Sequence, residues 1–73
     1  MTAARLFTSR FANRYGEAWI FQYDRDTGEG ILRGEDRDWQ ECRVVEGRAV
    51  GLILNEEEIQ WLRASWMDAT KGA

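Results

Sequence analysis

The stretch LNEEEIQWLRASWMDA, residues 54–69, decides the reading of this chain. Asn55 is a favoured helix N-cap, and Glu58 three residues later completes a capping box with Asn in place of Ser or Thr. Leu54 before the cap and Ile59 after it have the spacing of a hydrophobic staple. Glu56, Glu57 and Glu58 fill the first turn, where the helix dipole favours negative charge by a few tenths to ~1 kcal/mol each. The triple-Glu run therefore needs no ligand to explain it. At ~100° per residue, Ile59, Leu62, Trp66 and Ala69 form the stripe expected to face a core, and Trp61 falls well off it, on a different side of the helix. Two expectations follow for Trp61: it folds over a sheet edge or the N-terminal segment of its own subunit, or it anchors an interface.

Outward from that helix, 73 residues make one small domain, 1–73, divided into an N-terminal element (1–16), a sheet (17–54) and a helix (55–70). A chain of this size buries only ~60% of the surface its unfolded form exposes, so its core is marginal without help. Help from an internal disulfide is excluded by the single Cys42, and one cysteine without histidine makes no usual zinc site. Aromatic bulk remains: four Trp, three Phe and two Tyr suit a tryptophan-rich core, and self-association into a homodimer is expected to cover what is left.

Net charge is −3, which opposes non-specific binding to nucleic acid or anionic lipid. It is unevenly spread: residues 1–16 carry Arg5, Arg10 and Arg14 and no acid, while residues 17–73 carry seven basic and thirteen acidic groups. No apolar run approaches a membrane span and no signal-peptide core is present, so no membrane partner is expected. The acid-free start has a transit-peptide flavour, but the Phe7–Phe11–Tyr15 row reads better as part of the domain. The lone thiol fits a cytoplasmic protein.

Residues 3–14 suit a short helix through Ala3, Ala4, Phe7, Phe11 and Tyr15, although Phe7, Phe11 and Tyr15 also keep the parity of a strand. Residues 17–23 alternate as a strand, with Trp19, Phe21 and Tyr23 on one face and Ala18, Ile20 and Gln22 on the other. A polar hairpin loop follows over 24–29, closed by Gly28, then a short strand over 30–33. A third strand runs over 39–45, with Cys42 and Val44 on one face and Trp39, Glu41, Arg43 and Val45 on the other. Glu46-Gly47 marks a tight turn. A fourth strand is expected over 48–54, with Val50, Leu52 and Leu54 facing one way and Ile53 the other. The fold class is α+β: a four-stranded antiparallel sheet (ββββα) with a C-terminal amphipathic helix. The expected core is Ile20, Leu32, Val44, Leu52, Leu54, Ile59, Leu62 and Trp66, with Trp19 and Phe21 in a second cluster.

Motif-shaped patterns carry little chemistry. Asp24, Asp26, Gly28, Ile31 and Glu35 fall on EF-hand loop positions, but the position that demands Gly holds Glu29 and the flanks read as strands. Asp26-Thr27-Gly28 matches the core of aspartic proteases in a chain too short to build their cleft. There is no histidine, Cys42 sits mid-strand as an inert thiol, and the only lysine is Lys71. The carboxylate pairs Asp24/Asp26 and Asp36/Asp38 lie on solvated turns. The chain therefore reads as a non-enzyme without metal or cofactor.

Two functions fit. The first is a protein-interaction or self-assembly module whose interface centres on Trp61 and a sheet face bearing Trp19, Phe21 and Tyr23, left over if the helix covers the face shared by Ile20 or Cys42. The second stacks single-stranded nucleic acid on that aromatic row, flanked by Arg25, Arg33 and Arg43. Gly51-Leu52-Ile53-Leu54-Asn55-Glu56-Glu57-Glu58 followed by a Trp-bearing helix resembles the closing strand–turn–helix of the small ββββα single-strand-binding transcription coactivators. The resemblance covers about twenty residues and implies a dimer presenting curved sheets to the strand. The lysine-rich strands of that family are replaced here by acidic ones.

Overall fold

The computed structural model describes residues 5–35 and 37–71. Five strands, β1 (Leu6–Ala12), β2 (Ala18–Asp24), β3 (Glu29–Gly34), β4 (Arg37–Val45) and β5 (Arg48–Ala49), precede one helix, α1 (Glu56–Lys71). The strands form a single antiparallel meander in chain order. The chain is thus α+β, with an antiparallel sheet and a C-terminal helix.

Turn chemistry sets the registers. The β2–β3 loop places Asp24 opposite Glu29, with Gly28 at φ 77°. Asp24 shapes this loop by accepting from the Asp26 backbone N–H at 2.9 Å. Between β4 and β5, Glu46 and Gly47 both have positive φ, the two-residue turn that matches the twist of a hairpin.

Two of the expected secondary-structure elements need correction. Residues 6–12 are strand, not helix: Phe7, Ser9 and Phe11 pair with Tyr23, Phe21 and Trp19 and share their face. Period two wins because it aligns these rings across one pleated surface, whereas an isolated short helix has little to stabilise it. Ala3 and Ala4 lie outside the described residues, as do Asp36 and the side chains of Asp38 and Trp39. The strand expected over 48–54 ends at Ala49. The Val50 N–H still donates to the Arg43 carbonyl, but Gly51 then turns the chain at φ 81° and residues 52–55 run on without pairing. This segment lies at the sheet edge, not at its centre.

The registers also decide which face is buried. Phe21 stands opposite Leu32, Leu32 opposite Cys42, and Val44 opposite Ala49. These side chains share the helix-covered face with Trp19. Ile20 projects from the other face and is only half-buried. The core is accordingly one cluster, not two: Trp19, Phe21, Leu32, Val44, Leu62 and Ala69 are buried together, and Leu52, Leu54 and Trp66 pack on its margin. Ile59, expected inside, is 42% exposed. Trp and Phe bury far more area than Ala18, Ile20 and Gln22 can, so the aromatic face takes the helix.

The helix is rolled so that Glu58, Leu62, Ser65 and Ala69 point inward. Trp61 and Trp66, about 140° apart around the axis, then straddle the sheet. Trp66 lies over Gly30 and Gly47 and meets Tyr23 edge-on, centroids 5.1 Å apart. Trp61 stacks on Phe11 at 5.5 Å and donates from Nε1 to Ser9 Oγ at 2.9 Å. Small side chains at Ser65 and Ala69 leave room for this, and Ser65 Oγ donates to Ser9 Oγ at 2.9 Å. A helix can therefore half-bury two rings on one sheet by placing them on its two flanks.

Candidate functional site

None of the four aromatic interface candidates stands free. Trp19 and Phe21 are buried beneath α1, and Tyr23 and Trp61 are half-buried at its margins. The premise that the helix leaves the Trp19 row over fails on both counts: Ile20 lies on the open face, and the helix-covered face that holds Cys42 also holds the large rings. The three arginines are also dispersed. Arg25 holds its guanidinium 5.5 Å from the Phe7 ring centre and donates from Nε to the Ala69 carbonyl near the helix C-terminus, where a cation is favoured. Arg33 and Arg43 lie on the open face of the sheet, opposite Ile20 and Ile31. The rings and these two arginines thus occupy opposite faces, and no base can stack on Trp19 or Phe21 while α1 is docked.

The charge asymmetry of the sequence resolves into fastenings for β1. Arg5 pairs with Asp24 at 3.0 Å, Arg10 with Glu35 at 2.7 Å and Arg14 with Glu57 at 2.7 Å. The Arg5 hydrogen bond holds the Asp24 carboxyl below its ordinary pKa, with backbone N–H groups adding to it against partial desolvation, and Asp24 raises Arg5 in return. These pairs are exposed, and each is worth little alone.

A buried polar latch joins the helix start to the β1–β2 turn. The expected capping box is present, with the Glu58 N–H donating to Asn55 Oδ1 and the Asn55 N–H to Glu58 Oε1, both at 2.9 Å. Sequence reasoning missed the other half of Glu58. Its Oε2 accepts from Trp19 Nε1 and from Asn13 Nδ2, the latter at 3.1 Å. Asn13 is itself buried and its Oδ1 accepts from the Tyr15 and Glu17 backbone N–H groups. Every ring and amide here serves the fold, so the latch has no group to spare for a ligand. Cys42 is half-buried on the helix side of the sheet, and burial pushes its thiol pKa up, away from nucleophilic use. Among the described residues no three metal-ligating side chains cluster, and no helix is long and apolar enough to cross a membrane.

The remaining feature is an apolar groove where the sheet edge meets the helix. It exists because β5 is only two residues long and Gly51 diverts the chain. The unpaired segment turns Leu52 and Leu54 inward and Ile53 outward. A groove of about 370 Å³ opens between them and α1, floored by Ala49, Leu52, Leu54, Ile59 and Leu62 and flanked by Arg48 and Arg63. That volume lies near the small end of ordinary ligand sites. Ile53 stands at its lip, 98% exposed, and Val50, three residues earlier in the chain, is also exposed. The opposite parity of Ile53 is visible in the sequence; its exposure is not, because it depends on where β5 stops. A second concavity, by Arg14, Tyr15, Asn55 and Gln60, is lined by polar groups and holds the Arg14–Glu57 pair.

No known protein family, characterised protein or solved structure matches this chain.

Proposed function

We propose that this chain is a small, non-catalytic protein-binding module whose contact surface is the groove at the sheet–helix junction, with Ile53 as its anchor. One observation carries the reading: a β-branched side chain is presented almost entirely to water at the lip of an apolar recess. Scattered exposed apolar side chains are ordinary, but an anchor beside a cavity is how interface hot spots are built. The partner is a polypeptide that offers an apolar side chain to the groove and covers Ile53. The raised thiol pKa of Cys42 and the absence of histidine from the sequence favour binding over chemistry. The lone, half-buried thiol suits a reducing, cytoplasmic setting.

A photo-crosslinking side chain placed at position 53, in the protein's own cell, tests this. Adducts with a defined polypeptide should form from position 53, not from the exposed position 15, and should vanish when Ile59→Glu charges the groove floor. Equal labelling from both positions, or none from 53, removes the proposal.

A further inference from the structure

Resting on that reading of the groove, we propose that its occupant is a second copy of this chain, docked about a two-fold axis so that each Ile53 enters the other's groove. In an isologous interface one patch must complement itself, so anchor and recess have to lie side by side near the axis. Here they do, since Ile53 forms part of the rim of the recess it would fill in the partner. A heterologous partner places no such demand on this surface.

Charge supplies an independent argument. On the exposed side of α1, Glu56, Ile59, Gln60, Arg63 and Met67 share one face by their helical spacing. Arg63 flanks the groove and Glu56 lies two turns before it. Among the described residues neither forms an ion pair, unlike Arg14 and Glu57 on the same subunit. Two such helices packed antiparallel, crossing between Ile59 and Gln60, set Glu56 of each protomer against Arg63 of the other. The same crossing brings the two Ile59 side chains, each at a groove floor, towards the axis. A parallel arrangement would instead stack Glu56 on Glu56 and Arg63 on Arg63, which costs. The surface therefore specifies both a partner and an orientation. With one anchor per protomer and a small apolar centre, the dimer belongs to the weak class, in the micromolar range.

Sedimentation equilibrium of the purified chain, from micromolar to submillimolar concentration, tests this. The mass should rise from 8.5 kDa towards twice that value. Ile53→Asp should weaken association by at least about a hundredfold. It should leave the circular dichroism spectrum and melting curve unchanged, because the native side chain touches little of its own subunit. Glu56→Arg and Arg63→Glu should each weaken the dimer about tenfold, and the double exchange should recover most of that loss. A monomer at every concentration, or a dimer indifferent to Ile53→Asp, overturns the proposal. The position-53 crosslink separates the two readings. An adduct with a different polypeptide from a monomeric protein refutes only the second copy, whereas no adduct at all refutes the groove as a contact site.

Discussion

Replacing Glu58 with Ala should be among the most damaging substitutions outside the hydrocarbon core, although Glu58 is one of three consecutive glutamates. Its carboxylate is shared by three N–H donors, on Trp19, Asn13 and Asn55. Hydrogen bonds to a charged acceptor are worth ~1.5–3 kcal/mol each, and desolvating the buried carboxylate takes back part of the gain. Losing the capping-box reciprocity removes roughly 0.5–1 kcal/mol more, and the better helix propensity of Ala returns a few tenths. The net cost is about 2–4 kcal/mol, a large share of the 5–15 kcal/mol typical of a whole domain. In a chain of this length that lowers Tm by roughly 10–25 °C. Thermal and urea melts followed by circular dichroism would measure it, with Glu57→Ala as the control. Glu57 is exposed in the same first turn and, among the described residues, pairs only with Arg14, so its loss should cost under ~1 kcal/mol. Glu58→Gln should fall between them, because a single amide oxygen cannot serve three donors. Equal losses for Glu57→Ala and Glu58→Ala would refute the latch.

Gly30→Val should destabilise by about 1–3 kcal/mol, since even a Cβ there would sit 3.1 Å from the Phe21 ring, 3.2 Å from Trp66 and 3.3 Å from the Val44 carbonyl. An urea midpoint unchanged from wild type would show that Trp66 swings away freely. Asp24 predicts a pH effect of definite sign. Its folded pKa is lowered by Arg5, so its contribution is present above the ordinary value of about 3.9 and is lost as pH falls through the folded value. Wild type should therefore exceed Asp24→Asn in stability at neutral pH, and the gap should narrow in acid below pH ~4. A gap that widens in acid would contradict the assignment.

What the sequence makes legible here is local. The Asn55–Glu58 box, the Glu46-Gly47 turn and the loop closed by Gly28 are each written in adjacent residues, and each is present. Parity between strands is harder, because it depends on loop length. A four-residue loop between Asp24 and Glu29 forces Phe21 opposite Leu32, and that alone would have excluded Ile20 from the core. The ambiguity over residues 6–12 has a related cause: an i, i+4 row of rings is also an even-spaced row, and only pairing with β2 separates the two. The second role of Glu58 had no local sign, since its partners Trp19 and Asn13 lie 39 and 45 residues away. The groove was hidden for another reason. Val50, Leu52 and Leu54 alternate as a strand should, and only the positive φ at Gly51 ends the ladder early.

The Arg25 side chain has a geometric consequence for anyone building with this protein. Its backbone N–H reaches the Arg5 carbonyl while its guanidinium reaches Ala69, so residues 5 and 69 converge on one pole of the molecule. The helix rises ~20 Å from Ala69 to its first residue, Glu56, and Ile53 lies three residues beyond that end in the chain. Fluorophores, tethers or fused partners added beside residues 5 or 69 would all leave from the same pole, and the Ile53 end would stay open to solution.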